Sequence, residues 1–394
     1  MRTSIVRDLR SLLVVFTTSL CLVVFLVNIG LTQPTQNSAN QGITFNDAHF
    51  HLTNYIQKGI RIEDFLKLMG DKVDRVAVFG IPLHQKWDYF VDGNRSPDYY
   101  LLSDTELYYY SLVDAMIAQE YLRLTPDKQK HFDPMITGFN PTDMYATAHI
   151  LRVLRLFPGV FTGIGEFTIH KEFVSDKVGG HTASLTNPSL DRVFSMAGEI
   201  GLVTLIHCDI DTVRPTPGDR PAYFDKLKQL FKRHPETSII WAHTGLGRIV
   251  APRSNHLDLL EEILDDPEMN NVVFDISWDE VAKWVVKSPE TAQSWARLIN
   301  GYPNRFLFGT DAVAPKDSVS YLKTYQDYKP LWNLLDKDAL FKVTVGNYRR
   351  VFDEAAAKVR VWEKAKLQES EARLDLPNAD LIPKTVLLPQ YQSS

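Results

Sequence analysis

From Phe45 onward the chain alternates short apolar runs rich in β-forming residues with amphipathic helical stretches, and it does so eight times. The runs are TFNDAHFHL (44–52), RVAVFGIPL (75–83), FDPMITGF (132–139), FTGIGEFTI (161–169), LVTLIHCD (202–209), TSIIWAHTG (237–245), NVVFDIS (271–277) and RFLFGTDA (305–312). A strand that is apolar on both faces must be covered on both, and helices placed between such strands supply that cover, so the pattern predicts a parallel sheet of the α/β class. Eight repeats predict closure into a (β/α)8 TIM barrel over residues 44–352. Among the helices, Ser103 and Glu106 read as a capping box ahead of Tyr110, Val113, Ile117, Tyr121 and Leu124, which recur at helical spacing. PAYFDKLKQLFKRHP, with Tyr223, Leu227 and Phe231 on one face, and HLDLLEEILDDP read as members of the outer ring.

Ahead of the barrel, residues 11–31 (SLLVVFTTSLCLVVFLVNIGL) form an uncharged 21-residue stretch, close to the ~20 residues that span a bilayer. Arg2, Arg7 and Arg10 lie only on its N-terminal side. This predicts a signal anchor that keeps the N-terminus cytoplasmic and sends the body outward, or a cleaved signal that leaves the body secreted or periplasmic. Residues 32–43 read as a polar linker, and residues 353–394 as a charged helix followed by a Pro-containing tail. With residues 1–31 set aside, 40 basic residues face 47 acidic ones. An acidic body repels phosphate backbones, which argues against nucleic acid as a partner. The only cysteines, Cys21 and Cys208, exclude a disulfide framework within the body, so an oxidising compartment is permitted without being required.

The chemistry lies where polar residues end the apolar runs, because side chains at the C-terminal ends of barrel strands form the mouth. In the first run Asp47, His49 and His51 have period two and are expected on one face of a strand. Glu166, His207, His243 and Asp311 lie near the ends of the fourth, fifth, sixth and eighth runs. Their joint placement predicts a centre for a divalent ion, since zinc-like ions need three or more converging N/O ligands and an open position. His170 and Lys171 lie just past the fourth run as candidates for a substrate carboxylate, and Asp275, Ser277 and Trp278 end the seventh as candidate substrate contacts. Two long insertions, 84–131 and 170–187, begin at strand C-termini and read as candidate lids. Trp87, Tyr89, Phe90, Tyr99 and Tyr100 in the first of them are placed to wall a pocket.

The pieces DAHFHL, GIGEFTIHKE, LIHCD, WAHTGLGR, FGTDA and the closing VGNYRRVF resemble, in that order, the amidohydrolase superfamily of metal-dependent barrels, especially the branch that includes aminocarboxymuconate-semialdehyde decarboxylase. The resemblance implies that His49, His51, His207 and Asp311 bind metal. It implies that His243 is either a ligand of a second ion or an acid/base residue. Glu166 stands where two-metal hydrolases carry a bridging group that mononuclear branches lack, so one or two ions are expected, zinc first and manganese second. A bound divalent ion lowers the pKa of water from ~15.7 toward ~7. The expected activity is therefore hydrolysis of a lactone, ester or amide, with Asp311 as proton carrier and His243 polarising the carbonyl. Nonoxidative decarboxylation is the alternative, favoured if Arg248 or Arg253 clamps a carboxylate. A membrane-tethered binding or scaffold protein that has lost catalysis is the reading of another class. A small-molecule substrate and a membrane are the expected partners, with self-association left open.

Overall fold

The computed structural model describes residues 44–180, 182–218 and 220–371. The expected anchor (1–31), the linker (32–43), Cys21 and the tail past 371 lie outside the described residues, and among the described residues no helix is long and apolar enough to cross a membrane.

Each of the eight runs carries strand. In chain order the strands are β1 (Phe45–His51), β2 (Val73–Phe79), β3 (Leu83–Gln85), β4 (Leu107–Tyr109), β5 (Phe132–Ile136), β6 (Gly163–His170), β7 (Val203–Cys208), β8 (Ile239–Trp241), β9 (Val272–Asp275), β10 (Phe306–Leu307) and β11 (Ala312–Val313). The antiparallel pair β3 and β4 belongs to the 84–131 insertion; the other nine form one parallel sheet in the order β10-β9-β8-β7-β6-β5-β2-β1-β11. The eighth run supplies both edges. Its start, β10, pairs with β9, and its end, β11, pairs with β1. Between them Ala48 N donates to Phe308 O (3.1 Å) and Asp311 N to His49 O (2.7 Å), so the sheet curls round on itself in a TIM-barrel-like fold. Gly309 permits this approach, since a Cβ there would stand 2.6 Å from His49 Cβ.

The strands are buried on both faces, as their composition requires. Ala48, Ala77, Phe79, Met135, Leu205, Ile240 and Leu307 fill the interior. Phe50, Val78, Ile136, Ile206 and Phe274 pack outward with the helices, and Cys208 joins that outer layer as a packing residue. The helix Asn347–Glu371 closes the end of the barrel where the strands begin: its Tyr348, Val351, Phe352 and Ala355 complete the interior cluster. Tyr348 Oη donates to Asp133 (2.7 Å), whose carboxylate also takes Arg75 (2.9 Å). The VGNYRRVF motif thus builds the floor, and the 352/353 boundary falls inside a continuous helix.

No helix starts at Ser103. Ser103 Oγ accepts from Thr105 N (3.0 Å), a local bond that competes with helix initiation, and Leu107 is taken by pairing with Gln85. The helix is Leu112–Leu122, and Val113 and Ile117 are buried in it as the spacing predicts.

On the helix His256–Leu264, His256 is buried against Trp295 with neither ring nitrogen bonded. Burial pushes its pKa down to about 4. The folded state therefore holds the neutral ring while the unfolded chain, near 6.5, takes up the proton first. This contribution is full above pH ~6.5 and is lost as pH falls toward 4, amounting to roughly 3 kcal/mol across that window. Chemical denaturation of His256→Leu should show a correspondingly shallower acid loss between those pH values; identical slopes in variant and wild type would refute it.

Candidate metal centre

The expected ligands meet at the C-terminal end of the barrel. Glu166, from β6, is the hub: Oε1 lies 2.6 Å from His207 Nδ1, 3.8 Å from His243 Nε2 and 3.9 Å from His49 Nε2, while Oε2 lies 3.6 Å from His51 Nε2. Opposite it, Asp311 Oδ1 stands 3.1 Å from His51 Nε2 and 3.4 Å from His49 Nε2, and Oδ2 stands 3.7 Å from His243 Nε2. All six side chains are buried or nearly so. Three overlapping donor sets arise, His49/His243/Asp311, His49/His51/Glu166 and Glu166/His207/His243, so Glu166 is shared by two of them.

Asp47 does not join this group. The β1–β2 register shifts on both sides of it, a bulge-like irregularity that breaks the period of two. Its carboxylate turns to accept Thr310 Oγ1 (2.6 Å) and Tyr321 Oη (3.0 Å), bracing the eighth run instead.

Several site residues sit in left-handed backbone that non-glycine residues rarely adopt: His243 (φ 60°), Thr244 (φ 53°), Trp278 (φ 80°) and Asp311 (φ 50°). Such strain gathers where the fold aims side chains at a functional centre. The histidines are aimed from behind as well. His49 Nδ1 lies 2.7 Å from Asp275 Oδ2, His243 Nδ1 lies 3.0 Å from Ser277 Oγ, and His51 Nδ1 lies 3.3 Å from Gly80 O. His207 has Asp209 Oδ1 3.0 Å from Nε2, leaving Nδ1 for the centre. Asp275 and Ser277, read from sequence as substrate contacts, therefore hold the rings of the expected ligands His49 and His243. The signal that could have found them is their period-two placement at a strand end, the same signal that marked His49 and His51.

A cavity of about 50 Å³ opens beside the centre, lined by His51, Tyr55, Tyr99, Tyr100, Lys171, Trp278 and Asp311 among others. The insertion's aromatic residues divide: Tyr99 and Tyr100 reach the cavity, whereas Trp87, Tyr89 and Phe90 are exposed. Lys171 enters, its Nζ 3.6 Å from Glu166 Oε2 and 5.6 Å above the Trp278 ring. His170 does not; it stacks on Tyr223 at 3.8 Å. Arg248 stands over the other part of this wall, 5.6 Å from the Trp278 ring, bonded to Tyr99 Oη (3.0 Å) and to Glu280. Arg253 is bound to Asp211 away from the cavity.

Electrostatically the cluster calls for a cation. Burial opposes charge on His49, Glu166, His207, His243 and Asp311. Even so, His49, then His51 and His243, hold the Asp311 carboxyl well below the usual carboxylate range, and Lys171 and His207 do the same for Glu166. Burial pulls the His49 imidazole down, but Asp311, Asp275 and Glu166 outweigh it and hold the pKa up at about 9. His49 Nε2 and His243 Nε2 are nonetheless buried without a hydrogen-bond partner. Buried polar atoms are nearly always satisfied. Two imidazole Nε2 atoms without hydrogen-bond partners, facing two ionised carboxylates, make a donor set that a divalent ion with N/O preference would take. The residues fit the group that the sequence implies.

No curated protein matches the chain. Among solved structures it is similar to a provisionally named 2-pyrone-4,6-dicarboxylic acid hydrolase from Pseudomonas putida (14% identity, 79% of this chain and 98% of that one, TM-score 0.49). It is also similar to a Burkholderia multivorans amidohydrolase with bound zinc (11%, 78% and 99%, 0.48) and to 4-oxalomesaconate hydratase from Rhodopseudomonas palustris (17%, 82% and 99%, 0.44). A family model described as amidohydrolase matches residues 47–353, which takes in DAHFHL and every later motif up to VGNYRRVF. With most of its length matched in this way, the chain belongs to the amidohydrolase family.

Proposed function

We propose that this protein is a metal-dependent hydrolase that cleaves a C–O or C–N bond, as in a lactone, ester or amide, of a small molecule. The observation that carries the reading is the pair of unpartnered, buried Nε2 atoms of His49 and His243 facing Glu166 and Asp311. His49, His51 and Asp311, with Glu166, His207 and His243, would hold one or two divalent ions, zinc first and manganese second. Such an ion, when bound, supplies Lewis-acid polarisation and makes water acidic enough to react near neutral pH.

The chain's own residues supply the rest. Asp311, kept ionised by its histidine neighbours, accepts the proton of the attacking water and returns it to the leaving group. His243 has Nδ1 3.0 Å from Ser277 Oγ, which leaves Nε2 to the centre, equipped to ligate or to act as the acid/base residue that polarises the carbonyl. Lys171 and Trp278 orient the substrate, the ammonium facing its negative charge and the indole its apolar body. His170 takes no part. Tyr99 and Tyr100 exclude water. The cavity they wall holds about 50 Å³, smaller than the ~300 Å³ or more common for small-molecule pockets.

Decarboxylation is the second reading, and Arg248 favours it: of the two arginines weighed for a carboxylate clamp, it is the one beside the cavity wall. For place of action, the uncharged run 11–31 supports a body held outside the cytoplasm or released there. The test is elemental analysis of the purified protein, followed by a screen of the loaded protein against lactones, esters, amides and carboxylates. About one or two equivalents of divalent ion and an acid product are expected; CO2 release would move the assignment to decarboxylase, and an ion-free protein would support the scaffold reading.

A further inference from the structure

We infer that Ser277 is a positioning residue that dictates which ring nitrogen of His243 faces the ion; this rests on the metal-dependent reading above. A serine hydroxyl has one proton to give. Ser277 Oγ lies 2.6 Å from Asp275 Oδ2, an acceptor, so the proton goes there. What remains on Oγ is acceptor capacity, and His243 Nδ1, at 3.0 Å, must then be the donor. The same Asp275 oxygen lies 2.7 Å from His49 Nδ1 and makes that nitrogen a donor too. Ser277 N donates to Asp275 Oδ1 (2.8 Å), so the carboxylate that receives these bonds is itself clamped by the turn that carries Ser277.

The result is one chain of bonds, from His243 through Ser277 to Asp275 and back to His49, that leaves both Nε2 atoms bare. The two rings lie 5.1 Å apart at 25° between planes, so they are stacked side by side beneath the centre. Ser277, Asp275, His49 and His243 are all fully buried, which keeps bulk water from taking the place of a missing hydroxyl. Without Oγ, His243 Nδ1 has no acceptor, and the proton is free to move to Nε2, where it blocks ligation. The hydroxyl sets His243, and the carboxylate it donates to sets His49.

Removing a group that orients a metal-binding histidine typically weakens the metal about 10–100-fold. Zinc affinity of the full chain, measured by competition with a chelating dye, should fall by that factor in Ser277→Ala and stay within a few-fold of wild type in Ser277→Thr, which keeps the hydroxyl. Ser277→Cys, with a weak acceptor, should lie between and serves if threonine prevents folding. A merely structural role is separated by nitrogen-15 spectra of histidine in the zinc-free proteins: wild type should show His243 with a protonated Nδ1, and Ser277→Ala should lose that signature. Equal zinc affinity in wild type and folded Ser277→Ala, or an unchanged histidine signature, overturns this inference alone. A wild type that binds no zinc overturns the metal reading and this inference with it.

Discussion

Asp311→Asn is expected to lower turnover by at least about a hundredfold while leaving the fold in place. The substitution keeps size and polarity, and asparagine shares with aspartate a tolerance for the left-handed backbone that Asp311 adopts at φ 50°. The backbone bond from residue 311 N to His49 O, which joins the eighth run to β1, is untouched. What is lost is the negative charge and the basic oxygen. In the wild type that charge is stabilised by His49, His51 and His243 against the cost of burial, so the carboxylate stays available to take a proton far below neutral pH. The acid limb of the wild-type profile should therefore belong to the histidine–Asp311 centre as a coupled unit, and the residual rate of the variant should lack that limb. The ion should remain partly bound through the histidines. A folded, ion-loaded Asp311→Asn protein with wild-type turnover would falsify this role and move the base to His243.

The parts of this centre that were legible in the sequence share a physical cause. Strands covered on both faces must be continuous apolar runs, so a His, Asp or Glu that ends one stands out, and Glu166, His207, His243 and Asp311 did. What was not legible depends on local irregularity or on long-range closure. Alternation extrapolated along β1 put Asp47 beside His49, but the register shift sends it to Thr310 and Tyr321. A second shift, between Thr168 and His170 in β6, decides which of two adjacent residues enters the cavity, and it turns His170 onto Tyr223 while Lys171 reaches Glu166. Asp275 and Ser277 are far from His49 in sequence, and only the curled sheet brings them behind its ring. Nor does composition separate Tyr99 and Tyr100 from the exposed Trp87, Tyr89 and Phe90, since all five occupy one insertion.

Glu166→Gln should be the most destabilising conservative change at the centre, by about 3–5 kcal/mol in protein stripped of ions by a chelator. The reason is Lys171. Its side chain is only 9% exposed, and burial works against its charge. Glu166 is the first of the charges that overcome that penalty, with Asp311 a smaller one, and the ammonium stays protonated far above its ordinary range as a result. Replacing the carboxylate with a carboxamide of the same shape strands this ammonium without its main counter-charge. Lys171→Met in the Glu166→Gln background should then recover much of the loss, because a buried pair removed from both sides costs far less than a pair broken on one. Urea unfolding of the two single variants and the double variant measures the coupling directly, and additive effects would show that Glu166 and Lys171 do not depend on each other. Ion content separates the electrostatic role from bridging. A carboxylate shared between the His51 and His207 sides can offset the repulsion of two cations, so a protein that holds two ions should lose one in Glu166→Gln. A native content of one, unchanged in the variant, would confine Glu166 to neutralising Lys171 and orienting His207, and would leave the centre mononuclear.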